Sequence, residues 1–241
     1  TGNLLGLLAC AGLMGYALYA QYGLGLEPCP LCIFQRMAIF ALGVIWRLVG
    51  SFLLARKRDR SKPAGTAYVK AGMRAMIMRS APPHELEKNI QFQHYSGYAW
   101  HLGFFATLLL FGPHIPFFKQ FLGFGWPALP NTVVLVIAGI TLAILIALVV
   151  RRIVHPVMKQ ISSLDDWISV FLVILPFVTG FASYAHLQIG QIRYEDLLAA
   201  HILSVEAMLV WFPFSKLMHM FYAFPARFQV GVAMEHRGVK A

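Results

Sequence analysis

Charged residues are scarce in this sequence. Asp, Glu, Lys and Arg make up 12% of its 241 residues, whereas 59% are hydrophobic. Soluble domains carry about a quarter charged residues. Three long segments contain no charged residue at all, namely 1–26, 131–150 and 167–192. Because roughly 18 apolar residues are enough to cross a bilayer as a helix, this composition excludes a water-soluble domain.

The apolar segments predict an all-α membrane protein, a bundle of about six transmembrane helices. Most of the 20 Lys and Arg residues lie in three segments that alternating spans place on one side: 56–88, 151–159 and the residues after 226. Cytoplasmic loops carry an excess of Lys and Arg. We therefore expect both termini in the cytoplasm and the chain in a bacterial or archaeal inner membrane. The predicted spans are 3–22, 32–54, 96–113, 131–150, 167–187 and 197–219.

The polar segments predict the loops. Residues 56–93 form the longest polar stretch and are expected to be a cytoplasmic basic loop, and 225–241 are expected to be a cytoplasmic tail. Within the loop, the composition of 68–80 predicts a basic helix, which is either a surface helix on anionic lipid or a docking site for a soluble partner. The segment 113–130 is rich in Pro, Gly and aromatic residues, which predicts an ordered interfacial segment.

Cysteine is also scarce, since the chain has three. Two of them, Cys29 and Cys32, form a C-P-L-C motif expected at the outer face, where disulfides are permitted. Covalent haem attachment needs His after the second cysteine, where Ile33 stands, and a zinc site needs four ligands. The motif favours an exchangeable disulfide. The alternative is a pair of small apolar residues at a helix start.

The motif lies in the sequence GLEPCPLCIFQR, residues 25–36, which resembles the DsbB family of membrane thiol:quinone oxidoreductases. The resemblance covers about residues 1–50 and implies a helical hairpin over 1–54, with its second helix shared with the following bundle. It implies that the cysteine pair passes electrons to ubiquinone and that Arg36 lies beside the quinone. Family members carry a second cysteine pair in a later outer loop, whereas the further cysteine here, Cys10, lies in the first span.

Histidines are frequent in the hydrophobic part of the chain. Ionisable residues at membrane depth are costly and usually functional, and neutral imidazole is a common axial ligand of haem iron. Hydrogen-bonded histidines in the core of the bundle are the alternative, and the spacing leaves both open. Of the nine histidines, those in or at the edges of predicted spans are His101, His114, His186, His201 and His219.

The segment 201–219, which ends in the sequence FPFSKLMH, resembles the last helix of the gamma subunit of respiratory nitrate reductases. The resemblance runs over about residues 38–224 and implies a haem b bundle over 32–224. In that family, four histidines from two helices hold two stacked b haems. The resemblance therefore implies one or two b haems in this chain.

The ligands that this resemblance implies are His101, His114, His201 and His219. Their depth in the predicted topology pairs His101 with His219 toward the cytoplasm, and His114 with His201 toward the outside. His201 and His219 are eighteen residues apart in the sequence. That separation is about five helical turns and ~27 Å, so both would lie on one face of a regular helix.

The position of His114 departs from the family spacing. It follows His101 by thirteen residues, which would leave the two side chains roughly 140° apart on a regular helix. Ligation by His114 therefore depends on a change of direction at the Gly112-Pro113 step. His186 is the alternative ligand on the outer side.

These features predict a membrane electron-transfer subunit of a respiratory redox complex, the quinone-reactive cytochrome b subunit of an oxidoreductase. It would pass electrons between quinone and a partner through b-type haem. The implied partners are a cytoplasmic iron–sulfur or reductase subunit on the basic face, other membrane or outer-face redox subunits, and lipid, but no nucleic acid. The alternatives are a DsbB-like thiol:quinone oxidoreductase that uses Cys29 and Cys32, and a structural subunit.

Glu206 is an acidic residue within the last predicted span. It is either an ion-pair partner of an Arg or a proton acceptor.

Overall fold

The structure, a computed structural model, describes residues 8, 12, 15, 16, 19, 30–53, 61–81, 84–185 and 192–239. Over these residues it is all helical and contains no strand, which confirms the all-α class. The chain divides into a first unit, 1–83 with 206–241, and a second unit, 84–205. The helices are α1 (Pro30–Leu53), α2 (Tyr68–Met78), α3 (His84–Leu110), α4 (His114–Leu122), α5 (Asn131–Val154), α6 (Pro156–Ile161), α7 (Leu164–Tyr184), α8 (Tyr194–Trp211) and α9 (His219–His236).

Several helices are long and apolar enough to cross a membrane. In the described part of the chain these are α5, α7 and the segment Tyr194–Phe214. A fourth candidate is a bent pair, in which Ile90–Leu110 and His114–Leu122 meet at 73°. The apolar part of α1, Ala38–Ser51, is shorter. A multi-pass membrane protein follows from these helices, whereas the count of six spans and the side of the termini stay predictions.

In the first unit, α2 packs closely against α9. A Cβ on Gly231 of α9 would lie 2.6 Å from the Cβ of Ala75 and closer still to the carbonyl oxygen of Ala71. Only glycine allows the two backbones to approach this closely. At the start of α2, the backbone N–H of Ala67 donates to the Glu235 carboxylate at 3.1 Å. The two helices are therefore joined both along their packed faces and at the start of α2.

The two basic segments of the first unit thus lie together. Residues 68–78 form the helix predicted within the basic loop, and the segment 225–241, predicted to be a tail, belongs to a helix as far as His236. The Arg227 guanidinium donates to the Ser80 hydroxyl at 2.9 Å, and the Ala64 N–H donates to the His236 carbonyl at 2.9 Å. These contacts join a loop and a C-terminal segment that are far apart in the sequence.

The predicted sixth span, 197–219, is not one regular helix. After α8 comes a 3-10 turn, Phe212–Phe214, and then Ser215 with extended backbone (φ −112, ψ 178). Pro213 lacks the N–H that would continue the helical hydrogen bonds. The prediction that His201 and His219 share one face of a continuous helix is therefore wrong.

The second unit is built on α3 and its neighbours. The helix α5 runs antiparallel to α3, because the Arg151 guanidinium lies 5.2 Å from the Phe92 ring centroid, whereas Gly112 donates its N–H to Asn131 at 3.3 Å. The helix α7 runs parallel to α3. Their ring contacts are Phe104 with Phe177 at 6.1 Å and Phe111 with Tyr184 at 5.5 Å.

Candidate functional site

The last three residues of the C-P-L-C motif, 30–32, form the start of α1. The helix begins at Pro30, a residue type favoured in the first turn because the N–H of that position needs no partner. Cys32 is thus the third residue of α1, and Arg36 follows one helical turn later. Cys29 lies outside the described residues, and the side chains of Cys32 and Arg36 are not described. The backbone therefore fixes the positions of Cys32 and Arg36 along the helix.

A bend of the chain in the second unit changes the position of His114 relative to α3. The chain turns by 73° between α3 and α4, at the Gly112-Pro113 step. The Nδ1 of His114 lies 3.2 Å from the carbonyl oxygen of Thr107 and 3.1 Å from that of Leu108. Because a carbonyl only accepts, Nδ1 carries the proton. Because of the bend, the His114 ring contacts the last turns of α3. The separation of roughly 140° from His101 that a regular helix would give therefore does not apply.

His114 and His201 lie next to each other. Their ring centroids are 6.2 Å apart and their planes differ by 4°. The Thr179 hydroxyl lies 3.2 Å from the His201 Nδ1 and 3.0 Å from the Ser204 hydroxyl. A Cβ added at Gly180 would lie 3.1 Å from the His201 ring, so glycine allows the imidazole to rest against α7. The structure thus brings together two of the residues that the sequence singled out.

The other predicted ligands lie apart along the chain. His101, in the second unit, has its Nδ1 2.6 Å from the carbonyl oxygen of Gly97. His219 begins α9 in the first unit, with its Nδ1 2.8 Å from the carbonyl oxygen of Lys216. The pairing of His101 with His219 stays a prediction. His186 lies outside the described residues.

The histidine geometry bears on the predicted haem. Among the residues that the structure describes, no group of three or more His, Cys, Asp or Glu could hold a metal ion. Haem coordination by two histidines needs only two imidazoles, each with its other nitrogen hydrogen-bonded. His114 and His201 are compatible with that arrangement, and they are equally compatible with a hydrogen-bonded pair in an apolar bundle. The assignment of the histidines as haem ligands stays a prediction.

Sequence reasoning missed the hydroxyl groups around His201. Ser204 follows His201 by one helical turn, which was a usable signal. Thr179 comes from a different helix, so its contact with His201 was not visible in the sequence. Glu206 is nearly fully buried, at 7% exposure. The choice between an ion pair and proton transfer for Glu206 stays open.

The fold and the motif define a class: a helical membrane protein in which the second cysteine of a C-P-L-C motif lies in the first turn of a helix. Comparison with known proteins narrows the class. Residues 1–81 match the family described as disulfide bond formation protein DsbB. A disulfide bond formation protein B from Xanthomonas axonopodis pv. citri is 69% identical over 71 residues, which are 29% of this chain and 41% of the relative. One from Xanthomonas oryzae pv. oryzae is 52% identical with the same coverage.

The matched part is limited. The chain covers about two fifths of the length of these relatives, 41% in each case. A protein from Nitratidesulfovibrio vulgaris, whose name states no function, is 31% identical over 135 residues, 56% of this chain and 58% of the relative. That match is longer than the segment 1–81, so it includes part of the later helices. No solved structure matches the chain.

These comparisons contradict the main functional prediction, electron transfer through b-type haem as a respiratory subunit. The two Xanthomonas relatives are disulfide bond formation proteins, and the family match contains Cys29, Cys32 and Arg36. No match supports the resemblance to the nitrate reductase gamma subunit. That resemblance relied on 201–219 as one helix, which the structure breaks at Pro213. The findings favour the thiol:quinone alternative and confirm a multi-pass protein of the inner membrane.

Proposed function

We propose that this chain is a membrane thiol:quinone oxidoreductase. In one half-reaction, the Cys29–Cys32 dithiol gives two electrons and two protons to a quinone, which leaves a disulfide and a quinol. In the other, a substrate dithiol reduces that disulfide by exchange and becomes a disulfide itself. The observation that carries the proposal is the family match over 1–81, which contains the whole C-P-L-C motif.

The position of Cys32 supports thiolate chemistry. The thiolate is the nucleophile in disulfide exchange, and a helix N-terminus lowers the pKa of a thiol. Cys32 is the third residue of α1, within the first turn, where the unpaired N–H groups carry partial positive charge. The start of the helix at Pro30 therefore puts Cys32 at a helix position where the proposal expects a thiolate to be favoured.

Arg36 has a separate role in the proposal. It lies one turn after Cys32 in α1, and positions four residues apart share a helix face. A guanidinium group donates hydrogen bonds and stabilises negative charge. A quinone carbonyl gains electron density as it is reduced, so Arg36 would bind the headgroup and stabilise this charge. Electrons would then pass from the cysteine pair to a quinone held beside it.

The chain contains one cysteine beyond the pair, Cys10. In the proposed reaction, electrons therefore pass directly from the substrate dithiol to the Cys29–Cys32 disulfide, because this sequence has no second cysteine pair to act between them. The later helices would act as the membrane scaffold. A dithiol that reaches the outer surface is the substrate class that this direct exchange requires.

The contacts within each unit support an outer-face location for the motif. In the first unit, α2 and α9 bring together the described parts of two basic segments, 61–81 and 227–239. In the second, Arg151 of the basic segment 151–159 lies beside Phe92 of α3. Basic segments on one side of the membrane agree with the positive-inside rule. The start of α1 would then face the opposite compartment, where disulfides form.

The experiment is a quinone reduction assay with the protein in nanodiscs. Reduction of a short-chain ubiquinone by dithiothreitol is followed by absorbance. Cys29→Ser and Cys32→Ser should abolish the protein-dependent rate, whereas Arg36→Met should raise the KM for quinone. His201→Ala is the control and should retain the rate. Full activity of Cys29→Ser, or loss of activity in His201→Ala alone, would refute the proposal.

A further inference from the structure

The helix α2 carries an exposed apolar stripe. Val69, Met73 and Ile77 are 70%, 51% and 71% exposed, and they recur every fourth residue on one face of the helix. The opposite face of α2 packs against α9, and Ala75 on that face is completely buried. The stripe is therefore not part of the contact between the two helices.

A cationic edge runs beside this stripe. Lys70 and Arg74 each follow a stripe residue directly, are exposed, and contact no carboxylate in the described part of the chain. The sequence from residue 60 to residue 84 contains no Asp or Glu. The free face of α2 is thus apolar with positive charge along one side and no negative charge.

The surroundings of α2 favour a lipid surface as the occupant of this face. Helices with an apolar stripe and a basic edge lie in the plane of the membrane interface and are attracted to anionic lipid. The chain leaves a candidate span at Phe214, and α9 begins at His219. The contacts of α2 are with the second half of α9, around Phe228 and Gly231, so α2 is joined through α9 to the candidate span that ends at Phe214.

We propose that α2 lies on the anionic surface of the bilayer that the chain spans. Val69, Met73 and Ile77 enter the boundary between headgroups and acyl chains, and Lys70 and Arg74 contact the lipid phosphates. The surface anchors the α2–α9 pair at the membrane. This inference does not depend on the thiol chemistry.

The first test measures the depth of the stripe. Cys10, Cys29 and Cys32 are replaced by Ser, and Met73→Cys is labelled with an environment-sensitive fluorophore in nanodiscs of phosphatidylglycerol and phosphatidylcholine. Brominated acyl chains should quench the label, and aqueous acrylamide should not. Quenching by acrylamide alone would overturn the proposal. A label protected from both quenchers would show that protein, such as a second copy of the chain, covers the stripe, which also overturns it.

The second test uses charge. Lys70→Gln removes one cation at the edge, and Lys62→Gln makes the same change at an exposed lysine outside the helix. A lysine near an anionic surface contributes about a fivefold change in membrane partition. In Lys70→Gln, the ratio of lipid-quenched to unquenched label at position 73 should fall by about that factor. Equal ratios for both variants, or no dependence on phosphatidylglycerol, would contradict the role of the charged edge.

Discussion

Replacement of Gly231 by Ala should loosen the contact between α2 and α9. The new Cβ would lie 2.6 Å from the Cβ of Ala75 and closer to the carbonyl oxygen of Ala71. Backbone atoms cannot rotate away, so the helices must separate. Overpacking costs about 1–3 kcal/mol, and the better helix propensity of Ala offsets up to about 1 kcal/mol. Because the added Cβ meets a backbone oxygen and a Cβ at less than 3 Å, we expect a cost at the upper end of that range and a net loss of about 2 kcal/mol.

Hydrogen exchange of the amides in α2 measures this loss. If exchange occurs through local opening, a loss of about 2 kcal/mol speeds exchange in 68–78 by about 30-fold. Gly50→Ala is the matched control, because a Cβ there meets nothing within 4 Å. Exchange in α5 should not change in either variant. Equal exchange of α2 in the Gly231→Ala variant and the unaltered protein would refute the packing argument.

Two further predictions concern the second unit. Gly103→Ala should lower the melting temperature in detergent, because the added Cβ would lie 3.1 Å from the Thr141 Cβ and closer to its hydroxyl. A second change, Thr141→Ala, should restore part of the loss. Thr179→Val should cost about 1 kcal/mol by removing the hydroxyl partner of His201. The loss of stability in Thr179→Val should exceed that in Thr107→Val, because the Thr107 hydroxyl donates to the Gly103 carbonyl of its own helix. Similar melting temperatures for the two variants would contradict the role of Thr179.

The sequence predicted the helical class and several element positions well, because long apolar runs admit few other structures. The basic helix at 68–78 was likewise visible from its composition. The packing of α9 on α2 was not, since it depends on contacts such as that between Gly231 and Ala75, which are far apart in the sequence.

The region of the histidines shows where local reasoning fails. The sequence paired His114 with His201 on condition that the chain changes direction at the Gly112-Pro113 step, and the structure has both the bend and the neighbouring rings. Spacing on a regular helix joined His201 to His219, and the break at Pro213 and Ser215 removed that connection. The error about His201 and His219 arose because the periodicity of a helix applies only as far as its hydrogen bonds continue. The predicted docking of a soluble redox subunit stays a prediction.

The most direct measurement of the proposed function is the redox state of the cysteine pair. The reduced protein in nanodiscs is mixed with ubiquinone without oxygen, free thiols are alkylated, and the labelled residues are located by mass spectrometry. We expect Cys29 and Cys32 to lose alkylation together as quinol forms in equal amount, and Cys10 to be unaffected. If both cysteines remain fully alkylated while quinone is present in excess, the proposed thiol:quinone chemistry is contradicted.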